Sequence, residues 1–237
     1  MLLSLWSPKG GSGTSVFTAA CAVVLARQRA TRLVDLDGDQ DAVLGLAPIG
    51  LTGARGVRDW LAAGPTAPAD AVTRLAFDAG PGLQLVPAGT RGDGSGREGE
   101  AGAALGVVLR EWGTVIADCG RAADDATRAL VEVSDHSVVV VRACYLGIRR
   151  LAADELLREA SGVVVLEETG RALGRREVHD VLGVPVLASV PVRAAIARVV
   201  DAGVLASRLP DQLARPARSL LDRLGVTPSR ETARMTG

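Results

Sequence analysis

Short runs of branched apolar residues alternate along this chain with longer stretches patterned for helices, and that alternation admits few folds. The runs are Leu2–Trp6, Arg32–Leu36, Leu83–Val86, Thr114–Ala117, Ser137–Val141, Val163–Leu166 and Val186–Ala188. Several are almost unbroken Val and Leu, as strands become when helices cover both faces of a sheet. Helices are expected near Ser15–Arg29, Gly56–Ala63, Glu100–Trp112, Asp124–Val133, Gly147–Ala160, Ala172–Leu182, Val192–Ala202 and Pro210–Leu224. Strand and helix in turn predict an α/β fold with a doubly wound, mostly parallel sheet and helices on both faces. One domain over residues 1–226 accommodates the pattern, with a Gly- and charge-rich surface loop at Gly89–Gly99 and a flexible tail at 227–237.

Composition closes off several function classes. A hydrophobic fraction of 48% is enough for a large core and argues against disorder. Basic and acidic residues balance at 27 each, which excludes a globally basic nucleic-acid binder but not a local patch. Cys21, Cys119 and Cys144 are too few and too scattered for a disulfide framework or a metal cluster. No apolar run reaches the roughly 18 residues that span a bilayer. The opening Leu2–Trp6 is too short for a signal-peptide core and leads straight into a glycine loop, so a cytoplasmic protein is expected. Lys9 is the only lysine in the sequence; every other basic residue is arginine.

That lysine stands in the most informative segment, Ser7-Pro8-Lys9-Gly10-Gly11-Ser12-Gly13-Thr14-Ser15, placed between a strand and an apolar helix. Glycines there let backbone N–H groups converge on phosphate oxygens, and the helix N-terminus adds partial positive charge. The standard phosphate loop reads G-x-x-x-x-G-K-[ST], with Lys on the β/γ-phosphates and the hydroxyl on Mg²⁺. Here Pro8 replaces the first Gly and Thr14 replaces the Lys, whereas Gly13 and the hydroxyl residue Ser15 are kept. A glycine-rich turn without a ligand is the alternative.

The segment resembles the deviant loop K-G-G-x-G-K-[ST] of the ParA/MinD superfamily, with Lys9 at the position of its signature lysine. The resemblance implies an ATP site with Mg²⁺, cradled by Gly10, Gly11, Ser12, Gly13, Thr14 and Ser15. It also implies that Lys9 reaches the nucleotide of a partner subunit in a homodimer. Leu33-Val34-Asp35-Leu36-Asp37-Gly38-Asp39-Gln40 is similar to the family's D-x-D segment, which gives Asp37 the attacking water and places Asp35 near the metal. Val115-Ile116-Ala117-Asp118-Cys119-Gly120 resembles a Walker B strand, with Asp118 on Mg²⁺ directly or through water. Acidic residues at strand ends also occur as plain turn formers. Asp41–Leu46 looks like the corresponding stretch of the CpaE/TadZ branch.

Two departures bear on chemistry. Thr14 removes a cationic contact of a kind whose loss costs on the order of 2–4 kcal/mol of transition-state stabilisation. Glu167 stands where the family carries an adenine-reading Asn, and a carboxylate accepts hydrogen bonds but cannot donate them. Weak or absent hydrolysis is therefore expected.

Three functions stay open: a nucleotide-dependent dimeric switch that positions a machine through a protein partner, as CpaE/TadZ proteins do; a pseudo-ATPase scaffold; and a DNA-partitioning ATPase. From Arg171 onward there are 11 arginines against 6 acids, so Arg193, Arg198, Arg208, Arg215 and Arg218 are candidates for nonspecific DNA contact. Asp211–Leu224 has helical apolar spacing interrupted by Pro216, and packing on the domain is expected rather than membrane insertion.

Overall fold

A computed structural model describes residues 1–46, 55–89 and 97–227. Its strands are β1 (Leu2–Trp6), β2 (Thr31–Asp35), β3 (Phe77–Gly80), β4 (Leu83–Val86), β5 (Val115–Asp118), β6 (His136–Arg142), β7 (Gly162–Glu167) and β8 (Val186–Pro191). The helices are α1 (Thr14–Ala26), α2 (Gln40–Leu44), α3 (Val57–Ala62), α4 (Ala69–Thr73), α5 (Glu98–Glu111), α6 (Asp125–Glu132), α7 (Tyr145–Ala152), α8 (Arg175–Leu182), α9 (Ala194–Asp201) and α10 (Asp211–Arg223). The strands form one sheet in the order β3-β4-β2-β5-β1-β6-β7-β8, parallel except for β3. The doubly wound α/β fold expected from the sequence is the fold observed.

Alternation along the strands explains the two layers of core. Leu3 and Leu5 of β1 face one cluster, with α1, α10 and β8, while Leu2 and Trp6 face the other, with α5, α6 and α7. Side chains two apart on a strand share a face, so a strand buried on both faces is apolar at every position. The same holds for Val138–Val141 of β6, all fully buried. Helix α1 is apolar almost all round because it lies between the sheet and α10.

Several expectations need correction. The four-residue edge strand β3 was not foreseen, nor were the five-residue helices α2 and α4. The helix expected over Gly147–Ala160 divides into α7 and a 3-10 turn, Glu155–Glu159. Asp154 breaks it by accepting the Leu156 N–H with Oδ1, a side-chain cap that starts a new turn. Pro216 does not interrupt α10, which runs through it. Its apolar face, Leu213, Ala214, Ala217, Leu220 and Leu221, is buried in the core with α1 and β8, as expected of a packed helix. The expected loop at Gly89–Gly99 falls mainly on residues 90–96, outside the described residues, although Glu98 and Gly99 belong to α5. All of the expected tail except Thr227 also lies outside them. No helix among the described residues is long and apolar enough to cross a membrane.

Candidate functional site

Sheet order puts the chemistry in one place. β1 lies between β5 and β6, and β5 between β2 and β1, so the segments that leave β1, β2 and β5 emerge side by side. Asp35 at the end of β2 and Leu5 of β1 are both in register with Asp118. Crevices at the carboxyl ends of strands where the order reverses are where open α/β sheets take ligands.

The loop after β1 is tied down at its base. Ser7 donates its N–H to the Gly120 carbonyl at 2.8 Å, and its hydroxyl lies within hydrogen-bonding reach of the carbonyls of Gly120 and Lys9. Ser12 Oγ donates to the Lys9 carbonyl at 2.6 Å. Gly11 and Gly13 both take φ of +72°, the left-handed region that L side chains rarely adopt. The loop so shaped leaves the backbone N–H groups of Gly10 through Val16 without an acceptor among the described residues; the first helical bond is Phe17 N–H to Gly13 C=O. The first amides of a helix have no intrahelical acceptor, and here the series continues back through the glycine loop along the wall of one cleft.

That cleft has a volume of about 530 Å³, and it is lined by Ser7, Gly10 through Val16, Asp37, Asp39, Ala42, Val43, Gly120, Arg121, Val200, Asp201 and Gly203. A second cleft of about 280 Å³ shares Gly13, Val16, Val200 and Asp201 with it, and is largely apolar, with Phe17, Leu166, Val190, Val192 and Ile196 in its wall. Volumes of several hundred Å³ suit a small molecule. Gly203, in the wall of the first cleft, packs against Gly45: a Cβ on Gly45 would come within 1.7 Å of the Gly203 carbonyl oxygen.

Each residue singled out from the sequence has a definite place. Thr14 is buried and its Oγ1 has no hydrogen-bond partner in the protein. Ser15 lines the cleft, and its side chain favours the charged form of the Asp118 carboxyl. Asp118 is fully buried; its Oδ2 accepts from Gln40 Nε2 at 2.6 Å and its Oδ1 from the Gly120 N–H at 3.2 Å. Burial first, and the nearby Asp35 charge second, push its carboxyl up to about 7. Asp35 spends both oxygens on backbone amides, Oδ1 on Asp37 and Gly38, Oδ2 on Gln40, so it holds the turn rather than facing the cleft. Burial raises its carboxyl to about 6, and the three amides counteract that. Asp37 is exposed, lines the cleft and rests on Gly120, where a Cβ would lie 2.3 Å from its carboxylate. Lys9 is absent from the wall of this cleft. Glu167 is absent from the second cleft; its neighbour Leu166 lines that cleft instead.

Gln40 was missed. It is fully buried, and its amide donates to Asp118 and, at 2.9 Å, to the Ser15 carbonyl, joining the loops after β1, β2 and β5. A polar residue inside a short helix directly after the D-x-D segment is the signal that could have found it. Arg121 was also missed, since its place in the wall depends on tertiary convergence.

The arrangement suits a phosphate chain with a divalent cation. No group of three or more His, Cys, Asp or Glu among the described residues could hold a metal by itself. A cation here would depend on Asp118, Ser15 and the ligand's own oxygens, which is how Mg²⁺ is commonly held.

Known structures share this design. A MinD cell division protein of Aquifex aeolicus matches with a TM-score of 0.75 over 96% of this chain and 98% of that one, at 18% identity. A ParA family ATPase of Chlorobium tepidum TLS matches at 0.73 over 95% and 99%, with 20% identity. This chain has the ParA/MinD fold. MinD of Pyrococcus horikoshii OT3, solved with Mg-ADP, gives 0.73 over 100% and 98% at 18% identity. No family model matches the sequence. Curated relatives, uncharacterized proteins from two strains of Mycobacterium tuberculosis, are 32% identical over 93% of this chain. The chain spans 62% of their length.

Proposed function

We propose that the chain is a nucleotide-dependent dimeric switch of ParA/MinD type, a CpaE/TadZ-like factor that positions a cellular machine through a protein partner. It binds ATP with Mg²⁺ and hydrolyses it weakly or not at all. The observation that carries this reading is the series of unpaired amides from Gly10 to Val16, opening on a cleft that also holds Ser15 and adjoins Asp118. Mg²⁺ bound there would supply positive charge to the phosphate chain.

The chain's own residues do the rest. Amides of the loop bind and orient phosphate oxygens, Ser15 and Asp118 face the cation, and Gln40 keeps the Asp118 carboxylate turned toward Ser15. Asp35 sets the turn that presents Asp37, whose exposed carboxylate is placed to orient water. The apolar second cleft excludes water around the base. Lys9, outside its own protomer's cleft, offers its ammonium to the nucleotide of a second copy.

Thr14 and Glu167 favour one second reading, a scaffold that dimerises without nucleotide. DNA contact through the C-terminal arginines is weakened by pairing: Arg215 and Arg218 both reach Asp211, at 3.1 and 4.0 Å. Isothermal titration with Mg-ATP, followed by sizing chromatography with and without nucleotide, tests the proposal. Saturable heat and a nucleotide-dependent dimer are expected. A flat titration at millimolar ATP refutes ATP binding, and a dimer indifferent to nucleotide favours the scaffold.

A further inference from the structure

A cationic contact is missing from the phosphate loop at Thr14, yet the cleft is not without a cation. Arg121, three residues past Asp118, lines it. Its stem lies along the loop, with Cδ 3.4 Å from where a Gly10 Cβ would sit. Among the described residues Arg121 has no hydrogen bond or ion pair, although Asp37 and Asp39 line the same cleft. Most arginines described elsewhere in the site's surroundings are engaged: Arg142 with Glu168 at 3.0 Å and Arg193 with Thr169 at 3.1 Å.

The backbone on either side of Arg121 is fixed. Gly120 before it, at φ +50°, is moored to Ser7 through its carbonyl. Ala122 after it is the sole non-glycine residue with positive φ, +45°, among those described. Its side chain is buried in the core and its N–H donates to the Cys119 carbonyl at 2.8 Å. An alanine held in the left-handed region is strained, and such strain persists only where the surroundings impose it. The strained turn thus aims a long cationic side chain across the mouth of the amide cradle. A second, independent feature belongs to the same wall: Thr14, whose hydroxyl is buried and without a protein partner.

We infer that Arg121 binds the phosphate chain of the nucleotide, supplying from the β5 turn the positive charge that the loop lacks at Thr14. The inference rests on the nucleotide reading above. A guanidinium suits the task because its planar donors can engage two phosphate oxygens at once.

Mg-ATP titrations of the intact chain, of Arg121→Gln and of Arg121→Lys test it, with thermal unfolding of each variant to verify the fold. Because Arg121 is exposed, both variants are expected to melt with the parent. Arg121→Gln should weaken Mg-ATP at least about tenfold, the loss of one charge-assisted hydrogen-bonding group. Arg121→Lys should fall between it and the parent, since charge is kept and the fork is lost. A smaller loss in Arg121→Gln overturns the assignment, and so does a Lys variant as weak as the Gln variant. If the unmodified chain itself gives no heat, the nucleotide reading falls and takes this inference with it. A tightly binding parent with an unaffected Arg121→Gln removes the Arg121 role alone.

Discussion

Thr14→Val separates what the buried hydroxyl does for the nucleotide-free chain from what it does for a ligand. Thr14 opens α1, and its Oγ1 is buried without a protein partner. Valine keeps the branched shape and has nearly the same helix propensity, so the exchange isolates the hydroxyl. Leaving such a group buried and unpaired costs about 1–3 kcal/mol. Taking the low end, the variant should be more stable by about 1 kcal/mol without nucleotide, a rise of roughly 2–4 °C in Tm for a chain of this length. With Mg-ATP the sign reverses if the hydroxyl bonds the bound nucleotide. Losing about 1–1.5 kcal/mol of that contact weakens binding about fivefold to tenfold. Scanning calorimetry at several ATP concentrations reads both effects on one sample. A lower Tm without nucleotide would refute the account of Thr14 as an orphan, and an undiminished stabilisation by ATP would refute its role toward the ligand.

Three more outcomes follow from the site. Lys9→Ala should leave nucleotide binding to the protomer nearly intact but abolish nucleotide-dependent dimerisation, measured by light scattering on a sizing column. Gly45→Ala places a Cβ against the Gly203 carbonyl at a position of φ +73°, and should cost about 2–4 kcal/mol in urea unfolding, with weakened nucleotide binding. For Asp118 the folded carboxyl is raised to about 7, above its unfolded value, so the folded state holds a proton that the unfolded state has already released. Its stabilising contribution is complete at acid pH and lost as pH rises through about 7. Asp118→Asn should therefore stabilise the metal-free chain by about 2 kcal/mol or more at pH 8 and change little at pH 4, with Gln40 turning its unpartnered Oε1 to the new amide. Urea unfolding at both pH values checks it.

Legibility in the sequence followed locality. β1 and β4 were readable to the residue: β1 is a fully buried apolar run, and β4 shows apolar residues around the exposed Gln84, with turn-forming glycine or proline on either side. β3 was not, since an edge strand with only Ala79 buried shows no apolar alternation. The helix expected through Ala160 failed at Asp154, whose capping bond and ion pair with Arg128 outweigh continued helical periodicity. In the site, the glycine loop, Asp35, Asp37 and Asp118 were picked out by their resemblance to family segments taken in chain order, and the fold brings these segments to neighbouring strand ends. Asp35 and Asp118 carry similar sequence signals yet differ in use, and only the positions of the Asp37, Gly38 and Gln40 amides decide that. Gln40 and Arg121 became visible once three loops were brought together.

The meeting of Gly45 with Gly203 also imposes an order of events on a chain emerging from the ribosome. β1 and the start of α1 leave before the other elements of the fold, and with them the amides that would attract phosphate. The wall opposite waits for the loop after α9, and α10, which packs on α1, comes later still. Because domains assemble as units during synthesis, an incomplete chain would display a cradle without an enclosure. A filled cleft would then certify that the segments from β1 through α10 had all been made and assembled, and a partner that recognises only the filled form would be spared from recruiting fragments.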